Sequence, residues 1–335
     1  MIHPSPVPHM SRRGVLTGAA AALLGAAAPA ALAQPNWPSR PLKIVLGYAA
    51  GGAGDAVARL MAQKYSEALG QPVIVENKPG ANSTIAAAAA AKAPADGYTL
   101  YMGSSTDLTV APTVMAEQIA YNVERDFTPL GGLVTLPNML VVPANSPFNS
   151  VGDLVAHAKA NPGKLSFASF GGMTTSYLAA ELLKNQAGIQ MTHVPFKGSS
   201  LALVDVLAGR IDLFFDTLSS SAPYVKEGRL KALAVTSAAR FQLLPDIPTM
   251  QEQGFPDFVF GGSVGMLVAS ATPAPITRRL QAETAKIVSM PDVRARFTEL
   301  GMVPLSMGPK EYGDFIKFET ARAARLIKDN KLAFQ

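Results

Sequence analysis

The chain has no cysteine. Disulfides, a thiolate nucleophile and a cysteine-held metal are therefore excluded. Histidine is almost as scarce: four in 335 residues, of which only His157 and His193 lie beyond the N-terminal segment. Two separated histidines give no clustered ligand set for a metal. Charge is low as well, at 16% Asp, Glu, Lys and Arg. The basic residues are scattered, with no run interleaved with aromatics, which argues against nucleic-acid binding. Beyond residue 33 no apolar run approaches the roughly 20 residues of a membrane-spanning helix. What remains is a long chain, 48% hydrophobic, able to bury a large core and long enough for two domains.

The first residues stand apart. Ser11-Arg12-Arg13-Gly14 precedes a small apolar stretch from Val15 to Leu32, and Ala31-Leu32-Ala33 makes a small-residue cleavage site before Gln34. This pattern predicts an export signal over residues 1–33, hence a periplasmic mature chain. The arginine pair points to the twin-arginine route, although Thr17 and Val15 depart from that motif, so general secretion stays open. Setting Arg12 and Arg13 aside, the net charge falls from +5 to +3.

The stretch that organises the mature chain is Gly47-Tyr48-Ala49-Ala50-Gly51-Gly52-Ala53-Gly54-Asp55. It follows the apolar run Leu42–Leu46, which reads as a buried strand. It precedes Val57, Leu60, Met61, Tyr65 and Leu69, apolar at helical spacing. A strand, a glycine-rich turn and a helix start can aim several backbone N–H groups at one anion. The next elements predict β-α-β-α-β order, with Ser104-Ser105-Thr106 at a second strand end. Such order implies a parallel sheet with functional loops at the strands' carboxyl ends.

The middle of the chain repeats this alternation. Ser169 to Ser176 forms another glycine- and hydroxyl-rich loop, Phe196-Lys197-Gly198 a third strand end, and Asp216-Thr217 a fourth. A strand at 264–269 and three terminal helices return to complete the first unit. This predicts lobe I over 34–135 plus 255–335 and lobe II over 136–254, with a cleft between them.

Two enzyme patterns weaken on inspection. Gly261-Gly262-Ser263-Val264-Gly265 matches G-x-S-x-G, but an apolar strand follows Ser263 and no histidine follows residue 193. Gly52-Ala53-Gly54 with Glu76 approaches a dinucleotide fingerprint, but Val57 occupies the third glycine position. No cofactor is expected.

Long stretches carry a resemblance. Among them are Gly51–Arg59, Gly70-Gln71-Pro72-Val73-Ile74-Val75-Glu76-Asn77-Lys78-Pro79-Gly80, Asp96-Gly97-Tyr98-Thr99-Leu100, His193-Val194-Pro195-Phe196-Lys197-Gly198 and Pro245-Asp246-Ile247-Pro248-Thr249. In these the chain resembles the Bug, or TctC-like, family of periplasmic solute-binding proteins, which serve tripartite tricarboxylate transporters. The resemblance implies an α/β, two-lobe periplasmic-binding-protein fold (Venus flytrap, type II-like) with two mixed, mainly parallel sheets. It implies capture of a small carboxylate, aromatic or dicarboxylic, without catalysis, by a monomer that hands it to membrane subunits. A ligand-presenting sensor component would share the fold. Ligand-binding residues are then expected at Tyr48, Gly51, Gly52 and Asp55, at Ser105 and Thr106, at Ser169, Gly171, Gly172, Thr174, Thr175 and Ser176, at Phe196 and Lys197, and at Asp216 and Thr217. Asp55 is expected to cap the helix rather than touch the acid. The chain departs from the family at Tyr48-Ala49-Ala50, at Thr174–Tyr177, at Phe196 and at Ser263, so the scaffold carries over better than the identity of the ligand.

Overall fold

In the computed structural model, residues 37–171, 173–256, 258–329 and 332 are described. The predicted export signal and Gly172 lie outside them.

The first unit opens as β1 (Leu42–Leu46), α1 (Ala53–Leu69), β2 (Val73–Asn77), α2 (Thr84–Ala91) and β3 (Thr99–Ser104). The periodic apolar residues of α1 (Val57, Met61, Tyr65 and Leu69) are all buried, and Gly70 ends the helix at φ 69°, in the left-handed region glycine tolerates. A serine or threonine before an alanine-rich helix suggests a cap for α2, but the Ser83 side chain makes no capping bond, and Thr84 Oγ1 donates to the Ala81 carbonyl instead.

Then comes β4 (Phe127–Pro143), 17 residues long, where the sequence pattern predicts only 137–142. Pro129, Gly131 and Gly132 hide its first half. The register shifts at Pro129/Gly131 and Gly132/Val134 absorb them. The second unit continues as α3 (Val151–Ala160), β5 (Ser166–Ser169), α4 (Thr175–Ala187), β6 (Thr192–Pro195), α5 (Ser199–Leu207), β7 (Leu213–Thr217), α6 (Leu218–Lys226) and β8 (Leu230–Val235). A full capping box between Ser150 and Asp153 starts α3. The chain returns through β9 (Gly261–Ala269), α7 (Ala274–Ser289), α8 (Pro291–Glu299), β10 (Val303–Pro304) and α9 (Pro309–Asp329).

The strands run β2-β1-β3-β9-β4-β7-β5-β6, and β8 and β10 also pair with β4. The outer strands are parallel, as the β-α-β order predicts. The centre is antiparallel, because β9 returns beside β3 and β4. The first half of β4 pairs with β9, and the last residues pair with β7 and β8. One continuous strand thus serves both halves, and the return passage lies beside it at Pro137↔Gly261. Thr236 stitches the two: its hydroxyl accepts the Asn138 N–H at 2.8 Å, and its carbonyl accepts the Phe260 N–H at 2.9 Å.

Three glycines stand in one row across the first half, Gly103, Gly265 and Gly132 on β3, β9 and β4. The row makes a floor without side chains. The ring of Tyr312 from α9 lies on Gly265 and Gly132, and Leu108 lies on Gly103. α9 then runs on into the other half, where Ala323 and Leu326 join the core that holds Phe167, Leu183, Phe215 and Phe258.

Candidate functional site

The glycine turn after β1 is held from inside. Asp55 is buried, and both its oxygens are taken. Oδ2 accepts the Gly51 N–H at 2.9 Å and Arg59 Nε at 2.8 Å, while Oδ1 accepts Asn77 Nδ2 at 2.9 Å. Hydrogen bonding from Arg59 leads the causes that hold its carboxyl down at about 2. Asn77 Nδ2 also donates to the Tyr48 carbonyl at 2.9 Å. Asp55 therefore organises the turn instead of capping α1, which has no side-chain cap, and the Gly51 N–H points inward to it. The amides of Gly52, Ala53 and Gly54 open α1 and have no intrahelical acceptor, so they are the donors left for a guest. Replacing Asp55 with alanine should loosen the turn and lower stability at pH 7. The carboxyl is depressed in the fold, so its contribution is present above pH ~4 and disappears as the pH falls toward 2. Urea melts at the two extremes should show the variant's deficit shrinking at acid pH.

The second loop, after β5, is built the same way. Ser169 is fully buried, its Oγ is 2.7 Å from His193 Nε2 and it accepts the Gly171 N–H at 3.3 Å. Gly171 sits at φ 132°, and its carbonyl accepts Thr174 Oγ1 at 2.6 Å. Burial and nearby Lys184 push the imidazole of His193 below its ordinary value. The Ser176 hydroxyl, in the first turn of α4, is fully buried without a partner. At the end of β7, Asp216 accepts Ser199 Oγ at 2.6 Å and Ser221 Oγ at 2.5 Å. Burial raises its carboxyl to about 6.

The two rims meet. Asn82, just after β2, donates its amide to Met173 Sδ at 3.3 Å. Its neighbour Ser83 fills the space a side chain at Gly47 would need, and Thr175 of α4 approaches Gly262 of β9. At the glycine turn lies a cavity of about 320 Å³. Gly51, Gly52, Ala53 and Ala56 wall one side; Ser219, Ser220, Glu299 and Leu300 wall the other. The first turns of α1 and α6 thus face one space with their positive ends.

Several expectations need correction at the level of the side chain. Ser105 does not offer its hydroxyl to the cleft: it is buried, accepts the Ser263 N–H at 2.7 Å and lies 3.0 Å from Ser263 Oγ. Asp216 and Ser169 are likewise enclosed and hold loops. Phe196 is half-buried against the core behind β7 and β5. Lys197 is exposed at the end of β6. Thr217 Oγ1 donates to Ser220 Oγ at 2.8 Å, and Ser219 and Ser220 line the cavity. Sequence reasoning missed Ser219, Ser220, Asn82, Met173 and the organiser Asn77. The run Leu218-Ser219-Ser220-Ser221 after a strand was the one available signal.

A mixed α/β core with two facing rows of strand-end loops is the architecture of a periplasmic solute-binding protein. The chain matches the family described as the tripartite tricarboxylate transporter family receptor over residues 57–332, and it belongs to that family. It is 38% identical over 335 residues, 99% of each chain, to a protein in the tcbD-tcbE intergenic region of Pseudomonas sp. (strain P51). It is 30% identical over 321 residues to Protein BugT of Bordetella pertussis, covering 96% of this chain and 98% of that one. Among solved structures, it resembles an adipate-bound R. palustris protein with TM-score 0.80 and 32% identity, covering 89% of this chain and 100% of that one. MatC from Rhodopseudomonas palustris with bound malate follows at 0.74 and 31%, covering 87% and 100%.

Proposed function

We propose that the protein captures a small carboxylate in the periplasm and delivers it to the membrane subunits of a tripartite tricarboxylate transporter. It does so as a monomer, exported by means of residues 1–33, and leaves the ligand unchanged. The two halves, 34–135 plus 255–335 and 136–254, act as lobes that close on the acid. One observation supports this most: the first turns of α1 and α6 open onto one cavity, through Gly52 and Ala53 on one helix and Ser219 and Ser220 on the other. Backbone donors at helix starts suit a carboxylate, since charge-assisted bonds are stronger than neutral ones. The relatives solved with adipate and malate point the same way.

A hydrolase reading finds little support. Ser263 is buried against Ser105, and among the described residues no salt bridge joins His193, the partner of Ser169, to an acid.

A thermal-shift screen of mono- and dicarboxylates, adipate and malate included, tests the proposal. An acid present at 100 times its Kd should stabilise the native state by about 2.7 kcal/mol and raise the melting temperature. NAD should give no shift. Hydrolysis of an ester, with no acid shifting the melt, would overturn the reading.

A further inference from the structure

Behind the glycine turn lies a buried acid that carboxylate capture does not explain. Asp107 sits on a single π-helical stretch, Thr106–Val110, and is 1% exposed. π-helical turns occur often at functional sites. Its carboxylate accepts the Tyr101 hydroxyl, the Ser104 hydroxyl and the Ser104 N–H, the last at 3.1 and 3.2 Å from its two oxygens. Its own carbonyl takes the Tyr121 hydroxyl at 2.7 Å. Tyr48 from the glycine turn and Tyr312 of α9 both lie close enough for their phenols to feel the Asp107 charge. Four phenols and a serine surround the acid. Among the described residues, no lysine or arginine forms a salt bridge with it. Burial without a cation raises its carboxyl to about 6.

Tyr48 ties this acid to the anion site. A side chain at Gly54 would come within 2.5 Å of the Tyr48 ring, so the ring lies directly on the turn whose amides face the cavity. Tyr48 thus packs on the turn at Gly54 and lies within the field of Asp107 and its partner Ser104.

Protonating Asp107 leaves that network intact. Serine and tyrosine hydroxyls both donate and accept, so they can rotate to receive the carboxyl proton, while the Ser104 N–H keeps an acceptor oxygen. What changes is the charge. A carboxylate arriving at the glycine turn meets a buried like charge that forms no salt bridge among the described residues and is held by hydroxyls and a backbone N–H. Like charges favour the neutral form of one of them, and linkage makes the effect reciprocal.

We propose that anion capture is coupled to proton uptake at Asp107, so that the cleft binds its acid more tightly as Asp107 becomes protonated. This rests on the carboxylate-binding reading above. Affinity for the acid should fall several-fold between pH 5.5 and 8, beyond the change due to the acid's own ionisation.

The test uses the acid of the panel with the largest thermal shift, with adipate and malate as first probes. Calorimetry at pH 6.5 in two buffers of different ionisation enthalpy counts protons taken up. The wild type should take up a fraction of a proton per acid bound, and Asp107→Asn distinctly less. Carboxyl carbon NMR of the wild type, which needs no variant to fold, should show the Asp107 midpoint rising when the acid is added. It also separates Asp107 from Asp216, the buried acid behind the other rim. Binding with an unmoved Asp107 midpoint overturns the coupling and leaves carboxylate capture standing. If no acid of the panel binds at either pH, both fall.

Discussion

Gly171→Val should abolish carboxylate binding, weakening it by at least ~100-fold, which is about 2.7 kcal/mol, while the protein stays folded. Gly171 adopts φ 132°, a conformation closed to a β-branched residue. Strain of this kind costs about 1–3 kcal/mol, so the loop would rebuild rather than bear it. Rebuilding breaks the Ser169–Gly171 and Thr174–Gly171 bonds that set the loop between β5 and α4. The cores around Phe167 and Phe214 do not depend on those bonds. Gly188→Val supplies the control. That glycine caps the other end of α4 at φ 63°, so the variant should lose similar stability and still bind. Titration calorimetry beside thermal melts separates the two. Normal binding by Gly171→Val would contradict the role given to this loop.

Gly265→Ala should destabilise the fold more than any single change in the cleft. A methyl group there would stand 2.1 to 2.6 Å from atoms of the Tyr312 ring. Gly265 lies mid-strand, paired to Gly103 on one side and Gly132 on the other, so the backbone cannot yield. Tyr312 is fully buried and stacks with Phe315 at 6.2 Å, so the ring cannot swing clear without moving α9. Overpacking of this sort costs about 1–3 kcal/mol, and the rigid surroundings place this case at the upper end. Urea denaturation reads the loss. A variant as stable as the parent would show that the ring does not rest on the glycine row.

Much of this architecture was legible in the residues. The helical spacing in α1 and the alternation of strands and helices each have a short-range cause. β4 was half hidden, because Pro129, Gly131 and Gly132 read as a break and only cross-strand pairing turns them into bulges. The π-helical turn at 106–110 carries no sequence signature, and neither does the glycine row, whose members are more than 25 residues apart in the chain. In the cleft, the loops were legible and their side chains were not. Glycine and hydroxyl content marks a strand-end loop, yet whether Ser105 faces a guest or Ser263 is decided 158 residues away. Asp55 reads as a helix cap from the sequence, but its short-range bonds to Gly51 and Arg59, each four residues away, hold the turn instead.

The central claim is that amides from both halves grip one anion, and amide NMR during titration with the tightest-binding acid tests it most directly. The signals of Gly52 and Ala53 should move together with those of Ser219 and Ser220, which line the same cavity, and with those of Met173 to Ser176, along one binding curve. Movement confined to a single loop, or centred on a surface remote from both, would contradict the account.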